Sequence, residues 1–144
     1  MTPTSCTTAD EILPGGNLDG TFIEFQQRLE EKGLGGSDAE RLTRLYGSEA
    51  TEILASGGGL KAEVEFAVLC EGALTLEDYW VRRSARARFD VDGGTDCLAP
   101  AAAVMAHFLN WSKNECDRQV KACLAIRERE MSAVRKTGLH VQQA

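Results

Sequence analysis

A stripe of apolar residues at helical spacing that runs into glycine, then restarts behind a new cap, is the recurring unit of this 144-residue chain. In DGTFIEFQQRLEEKGLGG, Phe22, Phe25 and Leu29 recur with the period of one helix face, and Gly33 stands where a helix-ending glycine would. SDAERLTRLYG opens with Ser37 and Glu40 at capping-box spacing, presents Leu42 and Leu45, and stops at Gly47. SEATEILASGGG repeats the device: Ser48 as cap, Ile53 and Leu54 as packing residues, then glycines. KAEVEFAVLCEGA lines up Val64, Ala67, Val68 and Glu71, with Gly72 behind them. Thr75 and Asp78 form another capping pair, beginning a helix that carries Leu76, Tyr79, Trp80 and a run of arginines.

FDVDGGTD reads as a polar, glycine-containing loop. In CLAPAAAVMAHFLNW, Leu98, Ala101, Met105 and Phe108 share one face, and Pro100 is tolerable because it lies in the first turn. Ser112 and Glu115 cap a long last helix whose inward edge is Cys116, Val120, Cys123 and Ile126 or Arg127. Trp111 is expected to be buried between the last two helices. The result is seven helical segments, short connections and no alternating strand pattern. The expected fold class is all-α, a compact bundle of about six to seven helices. The expected organisation is a lead-in over 1–20, a helical domain over 21–136 and a frayed tail over 137–144. No internal repeat or low-complexity tract interrupts it.

Charge and cysteine usage exclude several classes. Hydrophobic residues make up 43% of the chain and charged residues 26%, the composition of a globular protein, and the formal net charge is −6. A negative surface argues against nucleic acid as a partner. No apolar run reaches the roughly 20 residues that span a bilayer, and MTPTSCTTADEILPGG lacks the basic start and apolar stretch of a secretory signal. Cys6, Cys70, Cys97, Cys116 and Cys123 are odd in number and scattered, unlike a disulfide framework. They read as reduced, mostly buried side chains of a cytoplasmic protein. With only His107 and His140 and no Cys-x-x-Cys pair, a zinc site is not expected.

Catalytic signatures are missing. The runs Gly15-Gly16, Gly57-Gly58-Gly59 and Gly93-Gly94 do not spell a dinucleotide fingerprint, and neither Gly-x-Ser-x-Gly nor His-Glu-x-x-His occurs. His107 reads as a core or interfacial histidine, and no residue is assigned a catalytic or metal-binding role. The exception to this quiet pattern is LTLEDYWVRRSARARF, where Arg82, Arg83, Arg86 and Arg88 fall within seven residues. Neighbouring cations repel unless something anionic meets them. Three partners are open: the chain's own acids, with Glu77 and Asp78 near helical reach of Arg82; a docking surface on another domain; or a phosphate from a ligand or lipid.

RLYGSEATEIL, then KAEVEFAVLCEGALTLEDYWVRRSARARF, then APAAAVMAHFLNWSKNECDRQV together resemble the C-terminal helical domain of FAD-dependent glycerol-3-phosphate dehydrogenases and the related glycerophosphate oxidases. The carriers are Tyr46-Gly47, Ala62-Glu63-Val64, Glu71 to Asp78, Arg82-Arg83, and Leu109 to Trp111. CTTADEILPGG resembles the segment that joins the family's flavin domain to its helical one. Ser84-Ala85 depart from the threonine and arginine that usually follow the double arginine, and Ser112 stands where an aspartate often follows the tryptophan.

The resemblance implies a C-terminal cap domain, without catalytic residues or cofactor of its own. Its partner would be the flavin-binding domain of the same polypeptide. The parent would oxidise sn-glycerol 3-phosphate to dihydroxyacetone phosphate through FAD and pass electrons to quinone or oxygen. It would be cytoplasmic, with peripheral attachment to the inner face of the membrane left open. On this reading Arg82, Arg83, Arg86 and Arg88 are interdomain or anion contacts, and the chain alone is inactive. The alternative is a free-standing helical domain that binds a protein partner without catalysis.

Overall fold

A computed structural model describes residues 11–136, all-α, with no strand among them. Cys6, His140, the expected tail over 137–144 and the first half of the expected lead-in lie outside the described residues. The chain divides at Gly58–Gly59 into two compact units.

The first unit contains α1 (Phe22–Glu31), α2 (Gly36–Tyr46), a 3-10 turn (Gly47–Glu49) and α3 (Ala50–Ala55). Helices α1 and α2 pack together, burying Phe25 and Leu29 from one and Ala39, Leu42 and Tyr46 from the other. The start of α1 is a reciprocal cap between Thr21 and Glu24. Glu24 N donates to Thr21 Oγ1 at 3.3 Å, and Thr21 N donates to Glu24 Oε2 at 2.7 Å. The Thr21 amide, and then its hydroxyl donating to Glu24 Oε2 at 2.9 Å, hold the Glu24 carboxyl below its ordinary pKa.

Two expected caps are corrected. Gly35, not Ser37, is the N-cap of α2, because the helix begins two residues earlier than that cap implies, at Gly36; Ser37 lies inside its first turn. Ser48 sits within the 3-10 turn, and α3 takes Glu49 as its N-cap without a side-chain bond. The reason for that tight turn lies in the lead-in. Ser48 N donates to the Gly15 carbonyl at 2.9 Å, and a Cβ on Gly47 would stand 1.8 Å from that same oxygen. Gly47 also has φ +55°, so the position demands glycine on both counts.

The second unit runs α4 (Gly59–Leu69), a π-helix (Asp78–Arg83), α5 (Arg86–Phe89), a 3-10 segment (Val91–Cys97), α6 (Leu98–Leu109) and α7 (Lys113–Lys136). Helix α6 packs on both α4 and α7. Its buried face, Leu98, Ala101, Ala102 and Met105, carries enough alanine for close approach of its neighbours. Around it gather Val64, Ala67, Leu76, Tyr79, Trp80 and Cys123. The buried Gln119 of α7 ties the unit together. Its Oε1 accepts from Leu76 N at 3.1 Å and its Nε2 donates to Glu115 at 2.9 Å.

Here too the expectations divide. Thr75 and Asp78 form the predicted box, with Thr75 N donating to Asp78 Oδ2 at 2.9 Å and Asp78 N donating to Thr75 Oγ1 at 3.1 Å. Ser112 caps α7 through Glu115 N at 3.2 Å, but the Glu115 carboxylate turns to Arg118 and Gln119 instead of back to the cap. Trp111 is only half-buried, on the rim of a groove between α6 and α7 floored by Ala99, Ala102, Ala103 and Ala106. His107 is exposed, its ring edge against Phe108, so it is not a core histidine. No helix among the described residues is long and apolar enough to cross a membrane.

Candidate functional site

The arginine segment begins as a π-helix. Ser84 N donates to the carbonyl of Tyr79, five residues back, at 2.8 Å, and Ser84 Oγ donates to the same oxygen at 2.9 Å. A π-turn inserts one residue per turn relative to an α-helix, so it rotates everything that follows. Ala85, left-handed at φ 53°, then breaks the chain, and the single helix expected to carry all four arginines becomes two elements.

This rotation drives Arg86 inward onto Glu63. Glu63 lies on α4 and has 0% exposure, buried on that helix along with Ala62, Val64, Phe66 and Ala67. Arg86 Nη2 meets Glu63 Oε2 at 2.8 Å, Nη1 meets Asp90 Oδ2 at 2.7 Å, and Nε donates to Tyr79 Oη at 3.1 Å. The Tyr79 hydroxyl in turn donates to Glu63 Oε2 at 3.3 Å. A buried carboxylate needs such company, since an isolated charge in a low-dielectric interior is costly. Burial works against the Arg86 guanidinium, yet the Glu63 carboxylate, by its charge and its hydrogen bond, holds its pKa above the ordinary arginine value. Burial, and then the Glu63 charge, push the Tyr79 phenol above its usual range. The group is therefore an ionic clasp between α4 and α5.

The glycine loop that follows is part of the same construction. Asp92, Gly93 and Gly94 are consecutive left-handed residues, a conformation that brings Gly93 and Gly94 into the interior. Trp80 Nε1 donates to the Gly93 carbonyl at 2.8 Å, and the Arg127 guanidinium lies so close over Gly93 that any Cβ would collide with it. The sequence expectation of a polar loop gave no hint that its glycines would be buried.

The four arginines thus part company. Arg86, 15% exposed at its side chain, is spent inside the fold. Arg82 pairs with Glu77 at 2.7 Å and Asp78 at 3.0 Å, the nearby acids that the sequence offered, but keeps 53% of its side chain in solvent. Arg83 Nε donates to the Glu71 carbonyl at 3.1 Å, fastening the connection after α4. Arg88 reaches only to Glu130, at 4.0 Å. Glu63, Tyr79, Asp90 and Gly93 were not singled out as site residues. The available signal was an acid among the apolar residues of α4 in a chain with four arginines clustered within seven residues elsewhere.

The cysteines hold no metal and no bridge among the described residues: Cys70, Cys97, Cys116 and Cys123 are free, and no group of three or more potential ligands gathers. Burial pushes the Cys97 thiol up to about 11 and the Cys123 thiol up to about 12. Cys97 and Cys123 are buried and Cys116 partly so, and Cys70 is the exposed exception among thiols expected to be mostly buried.

Comparison with known proteins bears on residues well beyond this clasp. Residues 6–116 match the family described as the C-terminal domain of alpha-glycerophosphate oxidase. Among curated relatives, the chain is similar to a glycerol-3-phosphate dehydrogenase of Synechocystis, 30% identical over 81% of this chain and 24% of the relative. It is similar to glycerol-3-phosphate dehydrogenase 2 of Mycobacterium tuberculosis, 32% identical over 78% of this chain and 22% of the relative. It is similar also to the alpha-glycerophosphate oxidase of Streptococcus pyogenes, 30% identical over 87% of this chain and 22% of the relative. The chain therefore spans less than a quarter of the length of these relatives. No solved structure matches it significantly.

Proposed function

This chain belongs to the family of C-terminal domains of alpha-glycerophosphate oxidase, and from that membership we propose that it serves as the helical accessory domain of a protein that oxidises sn-glycerol 3-phosphate with FAD. The observation that carries this reading is the inequality of coverage. The relatives account for up to 87% of this chain, while this chain accounts for about a fifth to a quarter of them. Whatever binds and oxidises the substrate in such a protein needs more polypeptide than these helices supply.

The residues present do not fit a flavin. Dinucleotide cofactors are held where a strand runs through a glycine turn into a helix N-terminus. Here Gly57 and Gly58 follow α3 and Gly59 begins α4 at φ +68°, while Gly93 and Gly94 turn into the interior beneath Arg127 and Asp90. We therefore place the flavin and the redox step in polypeptide outside this chain, and assign this domain the task of bracing it. Reduction of the flavin by the substrate is the cofactor's chemistry; this domain's residues hold shape. The free cysteines support a cytoplasmic location. The electron acceptor, quinone or oxygen, belongs to the flavin-bearing part.

The experiment is to purify this chain and the remainder of the protein separately, then together, and follow dye reduction driven by glycerol 3-phosphate. The chain alone should be colourless and inactive, and it should associate with the flavin-bearing part and raise its activity or stability. A yellow chain, or one that reduces dye unaided, would overturn the proposal. Indifference between the two parts would favour a free-standing interaction domain instead.

A further inference from the structure

We propose that Phe89 and Val91 form the apolar anchor by which this domain docks on the flavin-bearing part of its own protein; the inference rests on the function proposed above. Among the described residues these two are the most exposed large apolar side chains, Phe89 at 81% and Val91 at 89%. Their exposure is built in. Asp90 between them is extended, φ −80° and ψ 153°, and its carboxylate turns inward to Arg86 Nη1 at 2.7 Å. Side chains alternate along extended backbone, so the neighbours on either side face away from the core.

The turn that carries them is rigid. Arg86 is clamped to the buried Glu63, Gly93 N donates to the Asp90 carbonyl at 2.9 Å, and Trp80 holds the Gly93 carbonyl from below. A pair of apolar side chains held outward on a fixed turn is preorganised, so little ordering entropy remains to be lost on binding. Charged groups in long pairs surround it. Arg88 stands 4.0 Å from Glu130, and Arg127 stands 3.9 Å from Asp92. An apolar centre with a polar, weakly paired rim is the anatomy of a binding hot spot.

Two considerations choose the occupant. Two side chains offer far less than the roughly 1,200 Å² that a stable separate complex buries, which disfavours a second copy or an unrelated protein. A neighbour on the same polypeptide is present at about millimolar effective concentration, and a small anchor then suffices. The relatives, more than four times as long as the matched stretch, supply such a neighbour.

The test uses the full-length protein. Hydroxyl-radical footprinting of the intact enzyme should label Phe89 several times more slowly than in the urea-unfolded protein, at all protein concentrations. The variant Phe89→Ser/Val91→Ser should raise protease cleavage between the flavin-bearing part and this domain severalfold, whereas Leu69→Ser/Leu74→Ser should not. Labelling of Phe89 at the unfolded rate in an active enzyme overturns the docking inference alone. Protection that appears only where sedimentation shows a dimer assigns the pair to a second copy and overturns it too. A full-length protein with no glycerol 3-phosphate oxidation overturns the functional reading instead. Because the footprint needs no variant, misfolding of the double substitution does not protect the proposal.

Discussion

Glu63 and Arg82 show how differently charged residues of one chain can behave. Removing the cation from Glu63 strands a carboxylate with no exposed surface. Arg86→Met should therefore cost about 3–5 kcal/mol, and the double variant Glu63→Leu/Arg86→Met should recover part of the loss. Arg82→Ala breaks pairs that are largely in water, and thermal melts should show about 1 kcal/mol or less. Equal losses at the two sites would contradict the assignment of the clasp to the interior. Asp78 adds a pH dependence. Burial acts to raise its pKa, but the hydrogen bonds from Thr75 and Leu74, with Arg82 nearby, bring it below the ordinary 3.8. A carboxyl depressed in the folded state stabilises above its unfolded pKa and loses that contribution as pH falls. Asp78→Asn should melt lower than the parent at pH 7, and the gap should close as the solution is acidified below about pH 4. A gap unchanged down to strong acid would show that the ionised form contributes nothing.

At the scale of elements, the start and stop signals were legible where they depend on neighbours in sequence. Thr75 with Asp78, and Ser112 with Glu115 N, are local geometry, and the structure has them. Ser48 does not cap, because the lead-in at Gly15 binds the turn after α2 and sets where α3 can begin, and Ser37 lies inside the first turn of α2 instead of before it. No periodicity reports a contact between residues 15 and 48. Gly47→Ala should consequently lower stability by at least the 1–3 kcal/mol of a strained backbone, since the added carbon would also meet the Gly15 carbonyl. A melting temperature within error of the parent would mean the lead-in is not clasped there. The π-turn was invisible for the same reason. Tyr79 to Ser84 carries an ordinary helical sequence, and the extra residue per turn is selected by where Trp80 and Arg86 must point.

For the whole molecule, the thiols give a direct reading of the interior. Among the described residues, the exposed Cys70 should be the first to react with an alkylating reagent in the folded protein. Cys97 and Cys123, buried and raised to about 11 and 12, should react only on unfolding. Site mapping by mass spectrometry would check this, and prompt labelling of Cys123 would show that α7 does not close over the core as described.

The sequence by itself determined that the chain is helical, roughly where its helices lie, and which family it joins, because caps, periodicity and ordered motifs are written in residues close along the chain. Only the tertiary structure decided what the arginines do. Whether a guanidinium at position 86 faces water or a carboxylate at position 63 depends on one π-turn and one left-handed alanine. Those are settled by the burial of Tyr79 and Trp80 against distant helices, a cost and gain that no local window contains.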